Sequence, residues 1–142
     1  MATIIRPEIS EKNKYYIDKH RYYELKHFCL QYKEWKKIYA LCNETIIFTS
    51  SLDRTSSSNT PSDLTAKYAI KRVTYSEKIK LIEETAKKAD ELLYPYILRA
   101  VTEGLSYTYL KSRLEIPCSR DTYYDRYRRF FWLLSNGRNW FA

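Results

Sequence analysis

The sequence predicts an all-α protein, a helical bundle ending in a helix-turn-helix, and three observations carry that prediction. Only two glycines and four prolines occur in 142 residues, too few turn-formers for a chain of tight β hairpins. Lys, Glu, Leu and Ala dominate the non-aromatic remainder, and all four favour helix. Apolar residues recur at three- and four-residue intervals over long stretches. With 44% hydrophobic residues the chain can bury a core, and wholesale disorder is not expected.

Residues 1–9 read as a loose leader ending near Pro7. Ser10 opens the run S-E-K-N and can cap a helix, although Asn13 stands where a capping box wants Glu or Gln. Nothing breaks the chain from there to Asn43. Phe28, Tyr32, Trp35, Tyr39 and Cys42 follow one another at four- and three-residue steps, so they share a helical face, which Tyr22 and Leu25 extend backwards. That face is expected to pack. The run TIIFT, Thr45 to Thr49, has β-type residues but is too short to assign. Residues 50–62 are polar, rich in Ser and Thr and aperiodic, as in a linker. The expected organisation is a helical unit over 1–49, a linker over 50–62, and a helical domain over 63–142.

Asp63 can cap the next helix. Its apolar stripe is Ala66, Ile70 and Val73, then Tyr75, Ile79, Ile82, Ala86 and Ala89. The phase shifts between residues 74 and 76, so this is one long helix or two. Pro95 removes a backbone donor, and the following helix either kinks there or begins there behind a turn over 90–94. Gly104 is a helix stop. Ser106 can cap a helix over Tyr107 to Leu114, Pro117 breaks the chain, and Ser119 can cap a helix over 119–134 that carries Arg120, Arg126, Arg128 and Arg129. A capped short helix followed by an arginine-bearing one is the layout of a helix-turn-helix at about 105–135.

Laid out at about 100° per residue, the second helix places Tyr123, Tyr127, Phe130, Phe131 and Leu134 in one quadrant that must pack inward. The remaining arc holds Arg120, Asp121, Thr122, Tyr124, Asp125, Arg126, Arg128 and Arg129. Arginine grips guanine bidentately or neutralises a phosphate, and Thr122 and Tyr124 can donate to bases or backbone. Two acids temper this face. Asp121 suits the helix start electrostatically, and Asp125 can pair with Arg128 or Arg129.

A net charge of +8 points to a polyanionic partner, with nucleic acid foremost. No lipidation signal and no basic amphipathic helix with a clean apolar face suggest a membrane surface. No apolar run reaches the ~18 residues of a membrane span. Cys29, Cys42 and Cys118 are odd in number and lack CxxC spacing, and the first residues show no signal-peptide core, so reduced thiols in a cytoplasm are expected. His20 and His27 share a helical face but find no further ligand at metal-site spacing. There is no glycine-rich phosphate loop and no G-x-S-x-G elbow. Cys118, just before a helix start, invites a lowered pKa, but no histidine accompanies it in the motif. Neither an enzyme nor a cofactor is expected.

The segment ILRAVTEGLSYTYLKSRLEIPCSRDTYYDRYRRFFWLL, residues 97–134, resembles the C-terminal helix-turn-helix of small phage transcription regulators of the RinA and ArpU type, domains that are similar to region 4 of sigma factors. The resemblance covers about 40 of the 142 residues. It rests on Gly104-Leu105-Ser106 opening the first helix, on Leu114 and Ile116 packing the turn, and on Ser119-Arg120 with Thr122 to Tyr124 starting the reading helix. Three departures stand out: Lys111 where a small residue is usual, Glu115 where the turn glycine is usual, and Pro117-Cys118 lengthening the turn by about two residues. The resemblance implies a phage or prophage regulator in the cytoplasm of a bacterial host, reading double-stranded DNA. Its expected contacts are Lys111, Ser119, Arg120, Thr122, Tyr124, Arg126, Arg128, Arg129 and Arg138. If Lys111, Arg126, Arg128, Arg129 and Arg138 each neutralise a phosphate, log K should fall against log salt with a slope of about −4 to −5. RNA polymerase or another host protein, and a second copy of the chain, are further expected partners. The competing reading is a phage accessory protein that binds and inhibits a host protein, such as a nucleic-acid-processing defence enzyme, in the manner of an anti-CRISPR. Fifteen tyrosines suit either, since Tyr is enriched at interfaces and stacks on bases.

Overall fold

A computed structural model describes residues 13–53 and 61–137. Among them are six helices and no strand: α1 (Lys19–Leu30), α2 (Tyr32–Asp53), α3 (Pro61–Ala89), α4 (Tyr94–Glu103), α5 (Tyr107–Arg113) and α6 (Arg120–Gly137). The protein is all-α. The leader, the Ser10 cap and Arg138 lie outside the described residues.

The single helix expected from Ser10 to Asn43 is two. Asn13 forms a turn first, its Oδ1 accepting from the Tyr15 amide at 2.9 Å. Asp18 then caps α1 by accepting from the His20 amide at 3.0 Å, a favoured N-cap arrangement. Gln31 ends α1: its amide donates to Phe28 O at 3.3 Å and its side chain reaches back to His27 O at 3.2 Å. Helix α2 runs through TIIFT and past the expected linker boundary to Asp53, while α3 starts at Pro61 with Asp63 in its first turn. Residues 54–60 are not among those described.

The chain forms two compact units: residues 1–31 with 81–142, and Tyr32–Lys80. These differ from the expected division at 49 and 62, because the break that matters falls at Gln31, within the aromatic stripe, and α3 serves both units. In the first unit, α1, α4 and α6 pack against one another. Leu25, Ile82, Ile97, Leu110, Ile116, Phe130, Phe131 and Leu134 are fully buried there. Buried Thr85 and Thr102 donate to Leu81 O and Leu98 O, each at 2.6 Å, so neither hydroxyl is left unsatisfied. Arg21 clasps α6 from α1, donating to Ser135 Oγ and Ser135 O at 3.1 Å.

In the second unit, α2 and the first part of α3 run antiparallel. Arg72 donates to Asn43 Oδ1 at 3.1 Å, and Lys78 lies 5.5 Å from the Trp35 ring centre, so contacts climb one helix as they descend the other. Tyr32, Trp35 and Cys42 face inward. Of the two alternatives left open the single helix is found, and its stripe is divided in its environment. Ile79, Ile82, Ala86 and Ala89 are buried, whereas Ala66, Ile70 and Val73 are exposed. The phase shift between residues 74 and 76 marks the change.

The connections leading to α6 follow local chemistry. Asp90 Oδ1 accepts from the Leu92 and Leu93 amides at 2.8 Å, which forms a turn and lets α4 begin with Pro95 in its first turn, where a missing donor costs nothing. Gly104 ends α4 at φ 71°, and its amide and that of Leu105 both donate to Ala100 O, at 2.9 and 3.1 Å. Glu115 ends α5 in the same left-handed region, at φ 53°, which lets the Leu114 and Ile116 amides both reach Leu110 O, at 3.2 and 3.0 Å. A side chain at that backbone conformation costs about 1–2 kcal/mol. Glu115→Gly is therefore expected to raise stability by about 1 kcal/mol in urea unfolding; a loss would show that the glutamate side chain holds the turn.

Candidate nucleic-acid interface

Helices α4, α5 and α6 bring the sequence-predicted motif together, with a connection of six residues between α5 and α6. Ser106 Oγ accepts from the Tyr109 amide at 3.2 Å and so caps α5. The Tyr107 hydroxyl donates across the turn to Cys118 O at 2.7 Å, and its ring lies 5.6 Å from that of Tyr123. These two contacts fix α5 against the start of α6. Ile116 is buried in the turn between them.

Ser119 caps α6, accepting from the Thr122 amide at 3.3 Å and donating to Thr122 Oγ1 at 3.0 Å. Ser119, Arg120, Asp121 and Thr122 are all exposed, as are Lys111 and Arg113 on α5. Arg120 is exposed but held. Its guanidinium lies 5.2 Å from the Tyr107 ring centre and 5.9 Å from that of Tyr124, and Nη1 donates to the Tyr124 hydroxyl at 3.2 Å. Two cation–π contacts of about 0.5–1 kcal/mol each at an exposed site limit its rotamers without covering it.

Further along, α6 turns an aromatic column inward. Tyr123, Tyr127, Phe131 and Phe130 follow one another at centroid distances of 5.9, 4.9 and 5.0 Å. Tyr22 of α1 joins the column 5.1 Å from Phe131, and its hydroxyl bonds that of Tyr127 at 2.7 Å. Burial pushes the Tyr123 and Tyr127 hydroxyls well above the usual tyrosine range, with the bond to Tyr22 adding to the effect at Tyr127.

Two of the arginines assigned to DNA have partners within the first unit. Arg126 Nε lies 3.3 Å from Asp90 Oδ2, an ion pair without hydrogen-bond alignment, and Arg126 Nη1 lies 3.8 Å from Asp125 Oδ2. Arg129 donates to the Tyr15 hydroxyl at 3.2 Å and to Lys88 O at 3.4 Å. The hydrogen bond from Arg129 draws the Tyr15 hydroxyl below its ordinary pKa, against the opposing effect of burial. Tyr15 also packs on Trp132 at 5.7 Å, so the chain before α1 crosses α6 on the side where Arg129 sits. Asp125, expected to pair with Arg128 or Arg129, lies by Arg126, and sequence spacing carried no sign of the other partners, since Tyr15, Lys88 and Asp90 are remote along the chain. Arg128 is half-buried, as is Tyr124. Arg113, which sequence reasoning passed over, joins Lys111 and Arg120 among the exposed cations.

The Cys118 thiol is corrected. Its pKa is raised rather than lowered, chiefly by desolvation, an effect that Lys111 opposes and Asp90 reinforces. All three cysteines are free. His20 and His27 are exposed. Among the described residues no group of His, Cys, Asp and Glu is placed to hold a metal ion, and no helix is long and apolar enough to cross a membrane. Comparison with protein-family models, curated proteins and solved structures gives no match.

Proposed function

We propose that this protein binds double-stranded DNA through α5 and the first turns of α6, as a transcription regulator of the kind the resemblance to RinA and ArpU proteins implies. The observation that carries the reading is the start of α6. It is capped by Ser119, open to solvent, and presents an arginine held between two tyrosines. The start of the second helix is the part of a helix-turn-helix that meets base edges. Arg120, Thr122 and Tyr124 are the candidate base contacts, with Ser119 beside them. Lys111, Arg113 and Arg128 are the candidate phosphate contacts. Arg126 and Arg129 serve the fold, and their charge is partly answered inside the protein.

Three phosphate-neutralising cations, Lys111, Arg113 and Arg128, give a slope of log K against log salt of about −3. The Lys111/Arg120/Arg128 triple alanine variant is expected to weaken binding of labelled duplex at low salt and, through the loss of Lys111 and Arg128, to flatten that slope by about two. Arg120→Ala alone should also erode discrimination between sequences, by roughly 1–3 kcal/mol where a guanine contact is lost. Equal affinity of wild type and triple variant, or no binding by folded wild type at low salt, would favour the host-protein reading.

A further inference from the structure

The exposed stripe on α3 has a pattern of its own. Asp63, Ala66, Ile70, Val73, Glu77 and Lys80 follow at alternating three- and four-residue steps, and all six are exposed. They therefore form one continuous seam of the kind that pairs helices. Ile70 is 69% exposed and Val73 52%. Among the described residues of the second unit, only Tyr32, Trp35, Cys42 and Ile79 are buried. So small a core leaves two helices marginal in water, which makes covering the seam energetically worthwhile.

The charges on the seam choose its occupant. Set a second α3 antiparallel, with the two-fold axis between Ile70 and Val73. Every seam position then meets a seam position. Ile70 meets the partner's Val73, Ala66 meets the partner's Glu77, and Asp63 meets the partner's Lys80. Apolar residues occupy the middle and opposite charges close both ends. A parallel pairing would instead put Asp63 against its own copy and Lys80 against its own copy. We propose that this seam holds a second copy of the chain, antiparallel, in an isologous dimer. The proposal needs no DNA and stands or falls apart from duplex binding.

Sedimentation equilibrium of the full chain across the micromolar range tests it, with circular dichroism confirming that each variant keeps its helices. The wild type is expected at twice the 17.2 kDa chain mass. Ile70→Glu should raise the dimer Kd by at least ~100-fold, because it buries a carboxylate in the seam. Asp63→Lys should raise it about tenfold by facing the partner's Lys80, and Asp63→Lys with Lys80→Asp should restore it. A wild type that stays at 17.2 kDa throughout, including one that pairs only with a different protein, overturns the proposal. So does a dimer indifferent to Ile70→Glu. Failure of the double reversal to recover affinity overturns the antiparallel register.

Discussion

Phe131→Ala is expected to lower stability by about 3–5 kcal/mol, the range for truncating a buried aromatic. Phe131 is fully buried and touches Tyr22, Tyr127 and Phe130 at centroid distances of 5.1, 4.9 and 5.0 Å. It thus joins α1 to α6 as well as filling space between them. Its neighbours are rigid rings, which relax poorly into a cavity, so the upper part of the range is expected. Urea unfolding followed by circular dichroism measures the loss. Leu92→Ala, at a side chain 85% exposed, is the control and should cost under ~0.5 kcal/mol. A Phe131→Ala cost below ~1 kcal/mol would show that the aromatic column is not the core of the first unit.

Raising the pH above about 10 is expected to destabilise the first unit progressively. Tyr123 and Tyr127 have folded pKa values raised chiefly by burial. The folded state therefore holds their protons more tightly than the unfolded chain does. Their contribution is fully present below the unfolded pKa of about 10 and is lost as the pH climbs from there towards the folded values. Each pH unit separating the two titrations of one such tyrosine withdraws about 1.4 kcal/mol, so two tyrosines remove a sizeable part of a typical stability of about 5–15 kcal/mol. Tyr15 works the other way, because Arg129 favours its phenolate, and it offsets part of the loss. Unfolding midpoints at successive pH values measure the effect. Tyr127→Phe should shift the onset upward, at a cost of about 1–3 kcal/mol near neutral pH for leaving the Tyr22 hydroxyl unpartnered. Stability that stays flat through about pH 11 would mean that both tyrosines are open to water.

The helical class was legible because it rests on local quantities: few turn-formers, strong helix formers and apolar periodicity. Three helix ends were legible for the same reason, whereas the Asp18 cap of α1 was not read and Asp63 lies inside the first turn of α3. Ser106, Ser119 and Gly104 act within a turn of themselves, and each lies where the sequence places it. Gln31 was not legible, since glutamine favours helix and its break depends on packing on either side. Ala66, Ile70 and Val73 had the spacing of a core face, but spacing states only that residues share a side, never that something covers it. At the candidate interface the start of α6 was readable from its cap. The inward use of Arg126 and Arg129 was not, because it depends on residues that only the fold brings near.

The two anchored guanidiniums also contribute to aim. The ring column and Arg21 at Ser135 hold α6 against α1. Arg126 at Asp90, together with Arg129 at Tyr15 and Lys88, adds polar contacts to α6 beyond the rings. Arg120 takes its bearing from the helix so held, two turns upstream and still stacked on Tyr107 and Tyr124. The arginines facing inward thus help to point the exposed one outward, so damage to either anchor would blur direction before it removed any outward charge.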